Sequence, residues 1–432
     1  MTGPGQLCAW AMVLGLAALM SGCGIGTAPK ATSGLSHSSP ASSRTSGLPA
    51  GTSLHLTRIA MFSGRIGWAS SRTHLLTTQD GVRLWTAVNP SHVSGNFTGK
   101  NVAAAFITPQ DAVIAAQNTS GSPVKLFRTR DQGRRWTMSI LHLSTHMAAT
   151  FQGGSVSLDF VSPKEGWLLL ASQGFAGSQM DALFRTTDGG QQWHELQHTP
   201  APASAAAKVP FEDVTHVTMN SEGWGLASVN TEVFGRATIL VTANGGRSWV
   251  PESLPLPSTA AQSQVFEGSV EVASLHSAWV VVSFGLASTH PPQQDLVFYH
   301  TTDRSQHWTA MPWASSLPLG SSGYAQKQWS EGTAQSWLAP QHQVFFLPNT
   351  QGMTVLRWGQ MKKGDKTWHP IAQIPMPRMT AQSWVGNHGW IVGGTGDYPR
   401  GNAGSTWDYQ TDNGGSTWTR FSPSLVSGSN TH

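Results

Sequence analysis

The chain has 432 residues, of which 39% are hydrophobic and only 11% charged, and its formal net charge is +4. This length allows one large domain or several smaller ones. The small net charge, with no run of Lys or Arg, argues against a nucleic-acid partner. Only two cysteines, Cys8 and Cys23, are present, which excludes a disulfide-rich scaffold.

An apolar stretch runs from Leu7 to Met20 and is followed by Ser21, Gly22 and Cys23. It resembles a bacterial lipoprotein signal, in which the chain is cleaved before the Cys and lipid is attached to the Cys sulfur. The stretch is too short to span a membrane comfortably. The resemblance predicts a signal peptide over 1–22, lipidation of Cys23, export across the cytoplasmic membrane and anchoring on its outer face.

The chain that follows Cys23 consists mainly of Ser, Thr, Pro, Ala and Gly, with almost no apolar side chains. Such a segment cannot bury enough apolar surface to offset the entropy cost of ordering it. We interpret residues 23–52 as a flexible tether. Residues 53–423 are expected to form the folded body, and residues 424–432 a disordered tail.

A pattern of Thr, an acid or amide, and Trp recurs along the body, and such repeats predict a repeat architecture. In six copies a Thr lies seven residues before a Trp, and the residue five before the Trp is Asp four times and Asn twice. A seventh, weaker copy contains Asp365 and ends at Trp368. Successive Trp residues are 51, 57, 56, 59, 60 and 50 positions apart, the length of one four-stranded unit with generous loops. The six clear copies are Thr78 to Trp85, Thr129 to Trp136, Thr186 to Trp193, Thr242 to Trp249, Thr301 to Trp308 and Thr411 to Trp418.

Within each copy, apolar and polar residues alternate as they do in strands. In the third copy we predict strands over 155–160, 166–170, 182–187 and 193–196. No helical periodicity interrupts these segments, which favours an all-β array over alternating βα units. The sequence therefore predicts a single β-propeller of about seven four-stranded blades.

The recurring residue types suit a tight turn between two strands. An Asp or Asn side chain accepts hydrogen bonds from backbone N–H groups a few residues on. A Gly two places later adopts positive φ without steric cost, and burial of the Trp contributes about 4–6 kcal/mol of gross transfer free energy. We therefore predict a structural role, and no catalytic one, for Asp80, Trp85, Asp131, Gly133, Trp136, Asp188, Gly190, Trp193, Asn244, Gly246, Trp249, Asp303, Trp308, Asn413, Gly415 and Trp418.

At these turns the sequence resembles the Asp-box (BNR) repeat propellers, which include sialidases, some endoglucanases, sortilin-type receptors and photosystem II assembly-factor-like proteins. In that family the Asp boxes lie between the third and fourth strands, on the face away from the binding site. The resemblance implies a binding face made of the connections between second and third strands and the links between blades. Candidate residues in those loops are Asp181, Glu232, Arg236, His290, Asp295, Trp329, Asp397, Tyr398 and Arg400.

The family contains both binding proteins and enzymes. A sialidase would need an Arg triad and a Tyr nucleophile, but the customary Phe-Arg-Ile-Pro phrase is absent, and Tyr299 and Tyr409 lie in or beside predicted third strands. An endoglucanase needs two facing carboxylates, and spacing selects no pair among the loop acids. No phosphate loop or metal-ligand spacing occurs, so we expect no cofactor and no metal. We predict a monomeric, non-enzymatic scaffold for a protein or polysaccharide partner, with a sialidase-like or endoglucanase-like glycoside hydrolase as the alternative.

Overall fold

The structure is a computed structural model, and all the residues that it describes belong to the larger of two compact units, 33–432, the smaller being 1–32. The predicted signal peptide and Cys23 therefore lie outside the described residues. In the described part the chain forms no helix, so it has none long and apolar enough to cross a membrane. The described residues are 41–42, 49–91, 93, 97, 99, 101–117, 123–143, 151, 154–172, 179–199, 211, 213–229, 236–256, 264–266, 270–286, 293–312, 338–339, 344–349, 352–359, 368–376, 378–394 and 407–426.

Seven antiparallel sheets follow one another along the described chain, and each is one blade of a propeller. Within a blade the strands pair in chain order, with the first strand at the centre of the ring and the fourth at its rim. The strands of blades 1 to 4 are Leu56–Met61, Gly67–Ser71, Leu75–Thr78 and Leu84–Ala87; Val102–Phe106, Ala112–Ala116, Val124–Thr129 and Arg135–Leu141; Ser155–Phe160, Gly166–Ala171, Asp181–Thr186 and His194–His198; and Val214–Met219, Gly225–Val229, Ala237–Thr242 and Val250–Leu254.

The other three blades have the same order, although the first strand of blade 5 is split into two short pieces that both pair with the second strand. The strands of blade 3 agree with the predicted ones to within two residues at each end. The strands of blades 5 to 7 are Gln264–Phe266 with Val270–Val272, Ala278–Leu286, Gln293–Thr301 and Thr309–Pro312; Leu338–Ala339, Val344–Asn349, Gly352–Trp358 and Trp368–Ile374; and Met379–Val385, His388–Gly393, Asp408–Thr411 and Thr419–Phe421.

Each sheet buries both faces against neighbouring blades, and this packing closes the ring. Because side chains alternate along a strand, Leu183 in blade 3 packs towards blade 4 and the next residue, Phe184, towards blade 2. Apolar cores join all consecutive blades, and blade 7 packs on blade 1 through Trp390, which lies in one core with Leu76 and Trp85. The prediction of an all-β, seven-bladed propeller is confirmed.

Two terminal segments add strands to the rim. Ser424–Leu425 pairs in parallel with the fourth strand of blade 1, and Leu425 exchanges backbone hydrogen bonds with Gly51 (2.7 Å) and Thr52 (2.9 Å). The ordered body therefore continues beyond residue 423, into the predicted tail, because these backbone groups find partners on both sides. Ala41–Ser42, within the predicted tether, pairs with the fourth strand of blade 2.

The repeat turns lie between third and fourth strands, and five of them share one hydrogen-bond pattern. In blade 3, Thr186 Oγ1 donates to Asp188 Oδ1 (2.9 Å) and accepts from the Gly190 N–H (2.7 Å). Asp188 Oδ1 also accepts from the N–H groups of Gln191 and Gln192, both at 2.9 Å. The bond from Thr to the acid or amide is 2.8–3.0 Å in blades 2, 4, 5 and 7. The turn thus satisfies its backbone groups locally.

The turn of blade 1 departs from this pattern. Thr78 Oγ1 donates to the Gly81 carbonyl instead of to Asp80, and Asp80 forms an exposed ion pair with Arg65 at 3.6 Å. Trp85 is nevertheless fully buried, and its indole donates to the Val82 carbonyl at 2.8 Å. The Trp that ends the repeat therefore keeps its place even where the hydrogen bonds of the turn change.

Replacing Asp188 by Ala would remove the acceptor of three hydrogen bonds. We expect the free energy of unfolding to fall by about 1–2 kcal/mol, with a decrease in Tm of roughly 2–6 °C in a thermal melt. Asp188→Asn is the control, because Asn244 and Asn413 form the same turn, and its Tm should stay within about 1–2 °C of the wild-type value. An Asp188→Ala melt that overlays the wild-type curve would contradict a stabilising role for the turn.

Candidate functional site

The propeller has two different ends. The connections between first and second strands meet the repeat turns at one end, where the Gly189 N–H donates to the Lys164 carbonyl at 2.7 Å. We call this end the turn face. The connections between second and third strands meet the links between blades at the other end, where Thr199 Oγ1 donates to the Phe211 carbonyl at 3.0 Å. We call it the loop face.

Asp181, a candidate on the loop face, is the first residue of the third strand of blade 3 and is fully buried. Its Oδ2 accepts from the Val214 N–H at 2.7 Å, and its Oδ1 accepts from Gln179 Nε2 at 2.8 Å. The carboxylate therefore joins blade 3 to the first strand of blade 4 rather than facing solvent.

The structure describes two other candidates of this set. Arg236 is exposed directly before the third strand of blade 4. Asp295 lies within the third strand of blade 5, opposite Phe284, because the strand pairing there extends to Leu286 and Gln293. Asp295 therefore lies in the strand and not in the loop where it was predicted. The candidates outside the described residues are Glu232, His290, Trp329, Asp397, Tyr398 and Arg400.

Three first strands contain a β-bulge where they start, at the loop face. The extra residue in each is a Thr: Thr57 in blade 1, Thr215 in blade 4 and Thr380 in blade 7. Thr57 and Thr380 donate to second-strand carbonyls at 3.1 Å, and Thr215 is 2.8 Å from the hydroxyl of Ser228. Bulges change the direction of side chains and are common beside binding sites. Sequence analysis missed them because one extra residue does not disturb a short alternation.

The bulges are followed by polar side chains in two blades. Arg58 Nη2 donates to the Val102 carbonyl of blade 2 at 3.3 Å. His216 is enclosed in blade 4, where burial lowers its pKa to about 4, and its Nδ1 has no hydrogen-bond partner among the described residues. A neutral imidazole with an unsatisfied nitrogen can accept or donate a hydrogen bond to a ligand.

Side chains deeper in the ring link one blade to the next. Ser383 Oγ of blade 7 accepts from the Met61 N–H of blade 1 at 2.8 Å, and Asp159 Oδ2 of blade 3 accepts from the Met219 N–H of blade 4 at 3.0 Å. Thr218 of blade 4 accepts from the Val272 N–H of blade 5 at 3.4 Å. Because first strands have a free inner edge, these side chains satisfy N–H groups that no further strand pairs.

Two carboxyl groups occupy corresponding places in this layer. Asp159 and Glu271 each lie opposite the Trp of the second strand, Trp167 and Trp279. Burial raises the pKa of Asp159 to about 6, and burial together with the negative charge of Asp159 raises that of Glu271 to about 8. These are the pKa shifts expected of partly buried carboxyls that interact with each other.

A third buried carboxyl lies between blades 7 and 1. Asp408 is 1% exposed and takes the place that Leu75, Leu126 and Leu183 occupy in other third strands. Burial raises its pKa to about 8. No group of three or more His, Cys, Asp or Glu residues in the described ranges has the geometry of a metal site.

Comparisons with known proteins give no family assignment: no family model and no curated protein matches the chain. The arabinobiose complex of Penicillium chrysogenum α-L-arabinanase aligns with a TM-score of 0.42 and 12% identity over 80% of this chain and 94% of that chain. The propeller domain of the Pyrococcus furiosus trilobed protease aligns with a TM-score of 0.44 and 10% identity over 85% and 98%. The six-bladed Aleuria aurantia lectin aligns with a TM-score of 0.40 and 11% identity over 89% and 99%.

The buried carboxyls predict how stability depends on pH. The folded-state pKa values of Asp159, Glu271 and Asp408 are raised above their unfolded values. The contribution of these carboxyls to the free energy of unfolding is therefore fully present below about pH 4 and is lost as the pH rises through 6 and 8. His216 acts in the opposite direction: its contribution is present above about pH 6.5 and is lost as the pH falls through about 4. Of these four groups, only the carboxyls change the stability above about pH 6.5, so the free energy of unfolding should fall as the pH rises further.

Glu271→Gln should reduce this loss of stability at alkaline pH. Between about pH 6 and pH 9 we expect the wild-type free energy of unfolding to fall by about 2–4 kcal/mol more than that of the variant, measured by denaturant titration at each pH. Asp412→Asn, at an exposed acid in a repeat turn, is the control and should follow the wild-type profile. Parallel profiles for wild type and Glu271→Gln would contradict the assignment.

Proposed function

We propose that this protein is an extracytoplasmic lipoprotein of the Asp-box (BNR) repeat type, anchored through Cys23, whose propeller is a binding or assembly scaffold. Its partner is a protein segment or a polysaccharide that binds at the loop face. Within this family, such a role resembles that of the photosystem II assembly-factor-like propellers. No step of covalent chemistry is required of the chain in this role.

The observation that carries the proposal is the set of hydrogen-bonding groups at the loop-face ends of the first strands. Three bulges place Thr57, Thr215 and Thr380 there, and His216 Nδ1 lacks a partner among the described residues. A Thr hydroxyl can take part in up to three hydrogen bonds, one as donor and two as acceptor. Such groups, contributed by several rigid blades, suit the hydroxyls of a sugar or the amides of an extended peptide.

The repeat turns support the same division of roles. Their acids and amides accept backbone hydrogen bonds at the turn face, where they close hairpins. Asp181 is used in the same way between two blades. These groups therefore stabilise the fold, and we assign binding of the partner to the loop face.

A double variant, Thr215→Val with His216→Gln, should weaken binding at the loop face by about tenfold, since each change removes a hydrogen bond to the ligand. The measurement is retention on a glycan array and capture of partners from solubilised membranes, followed by titration of whatever is retained. Thr419→Val, at an exposed Thr of a fourth strand, is the matched control and should bind as wild type. Equal affinity of the double variant, or no retained glycan or partner, would refute the proposal.

A glycoside hydrolase is the second candidate function. The observation that favours it is the pair of Asp159 and Glu271, since a glycosidase needs one carboxyl with a raised pKa as its acid and a second carboxyl nearby. Hydrolysis of any member of a polysaccharide panel, abolished by Glu271→Gln in a variant that still folds, would favour this function over the scaffold. An inactive wild-type chain that retains glycans would exclude it.

A further inference from the structure

One sector of the turn face carries an unusual number of exposed cations. The turns of blades 1 to 3 hold six of them, and all six side chains are exposed. Three lie in a single hairpin, the repeat turn of blade 2. We call this surface the basic sector; its residues are Arg65, Arg83, Arg130, Arg134, Arg135 and Lys164.

The basic sector is continuous because hydrogen bonds join the three blades at this face. Gln79 of the blade 1 turn donates to Gln132 of the blade 2 turn at 2.7 Å. Arg128 of blade 2 donates to the Pro163 carbonyl at 2.8 Å, directly before Lys164 in blade 3. The cations are therefore held on one rigid surface rather than on independent loops.

Acids in the same turns are largely committed to other groups. Asp111 pairs with the buried Arg128 at 3.1 Å, and Glu165 pairs with Arg185, so neither neutralises the six exposed cations. Asp131 and Asp188 accept backbone hydrogen bonds within their own turns but keep their negative charge, and Asp80 Oδ1 lies 3.6 Å from Arg65 Nη2. With Arg128 and Arg185 included, the three blades hold eight cations against five acids at this face, a net positive charge.

The other described turns of this face have the opposite balance. The turns of blades 4, 5 and 7 hold two Arg residues against three acids: Arg247 and Arg304 against Glu222, Asp303 and Asp412. Arg304 is paired with Glu222. Among the described turns of this face, the positive charge is therefore concentrated on blades 1 to 3.

We propose that the basic sector docks on an anionic phospholipid bilayer and so turns the loop face away from the membrane, towards its partner. Arginine guanidinium groups bind phosphate through two parallel hydrogen bonds, which suits lipid headgroups. A basic surface adds electrostatic attraction to anionic headgroups, which fixes the orientation of the propeller on the bilayer. The proposal rests on the membrane location in the proposed function, but not on the identity of the loop-face ligand.

The test is co-sedimentation of the full chain carrying Cys23→Ser with lipid vesicles. Vesicles of pure phosphatidylcholine are compared with vesicles containing about 30% phosphatidylglycerol, and the ratio of the two partition coefficients removes any contribution of the apolar N-terminal segment. We expect a ratio well above one at about 0.05 M salt and a ratio near one at about 0.5 M salt. The triple variant Arg130→Gln, Arg134→Gln, Arg135→Gln should lower the low-salt ratio by about tenfold or more.

Two single variants provide a matched control. Arg134 and Arg247 occupy the same position in the repeat turns of blades 2 and 4, three residues after the acid or amide, and both are exposed. Arg134→Gln should lower the ratio by about threefold, whereas Arg247→Gln should leave it unchanged. Equal effects of the two would show that net charge alone, and no defined surface, governs binding.

Two results would overturn the proposal. One is an equal partition on neutral and anionic vesicles at low salt. The other is salt-sensitive binding to a soluble polyphosphate, lost in the triple variant, without any preference for anionic vesicles, which would identify a soluble polyanion as the partner. Neither result affects the loop-face measurement with Thr215→Val and His216→Gln, so failure of this proposal is distinguishable from failure of the proposed function.

Discussion

The structure depends on a short-range interaction, the hydrogen bond from a Thr hydroxyl to an acid or amide oxygen two residues later. In blades 2, 3, 4, 5 and 7 that oxygen accepts from N–H groups at or just before the start of the next strand, and the hydroxyl accepts from another N–H group. These five outer hairpins therefore close through local hydrogen bonds. The two turns with Asn in place of Asp form one more hydrogen bond each: the side-chain amide of Asn244 donates to Ser248 Oγ and that of Asn413 to Thr417 Oγ1, both at 2.7 Å. In these turns a hydroxyl four residues after the Asn accepts the hydrogen bond. In blade 5 the imidazole of His307, four residues after Asp303, contacts the Asp303 carboxylate instead.

Packing between the blades then forms the ring, and its exceptions are informative. Apolar residues fill the interfaces, yet Asp159, Glu271 and Asp408 place carboxyl groups where neighbouring blades have small, hydroxyl or apolar side chains. Asp159 gains a backbone partner in the next blade, which offsets part of its desolvation cost. Their raised pKa values make the folded state favour protonated carboxyls, so they stabilise the fold more at acidic than at alkaline pH.

The two ends of the propeller have different chemistry. At the turn face, acids and amides accept the hydrogen bonds that close the hairpins, and the exposed cations of the described turns lie mainly on blades 1 to 3. At the loop face, bulges at the start of first strands place the hydroxyls of Thr57, Thr215 and Thr380 in blades 1, 4 and 7, and the imidazole of His216 follows in blade 4. The proposed scaffold, docked on a bilayer by the turn face and bound to its partner by the loop face, would need this asymmetry.

The sequence by itself determined the fold class, the number of blades and the strands of blade 3, because local hydrogen bonds and a nearly constant period specify them. Only the tertiary structure showed that Asp159 meets the backbone of Met219, or that Ser383 meets that of Met61. Asp181 was expected in a loop on the binding face and instead joins two blades. The physical reason is that closing the ring brings together residues far apart in the chain, and no local pattern records which backbone groups then remain unpaired.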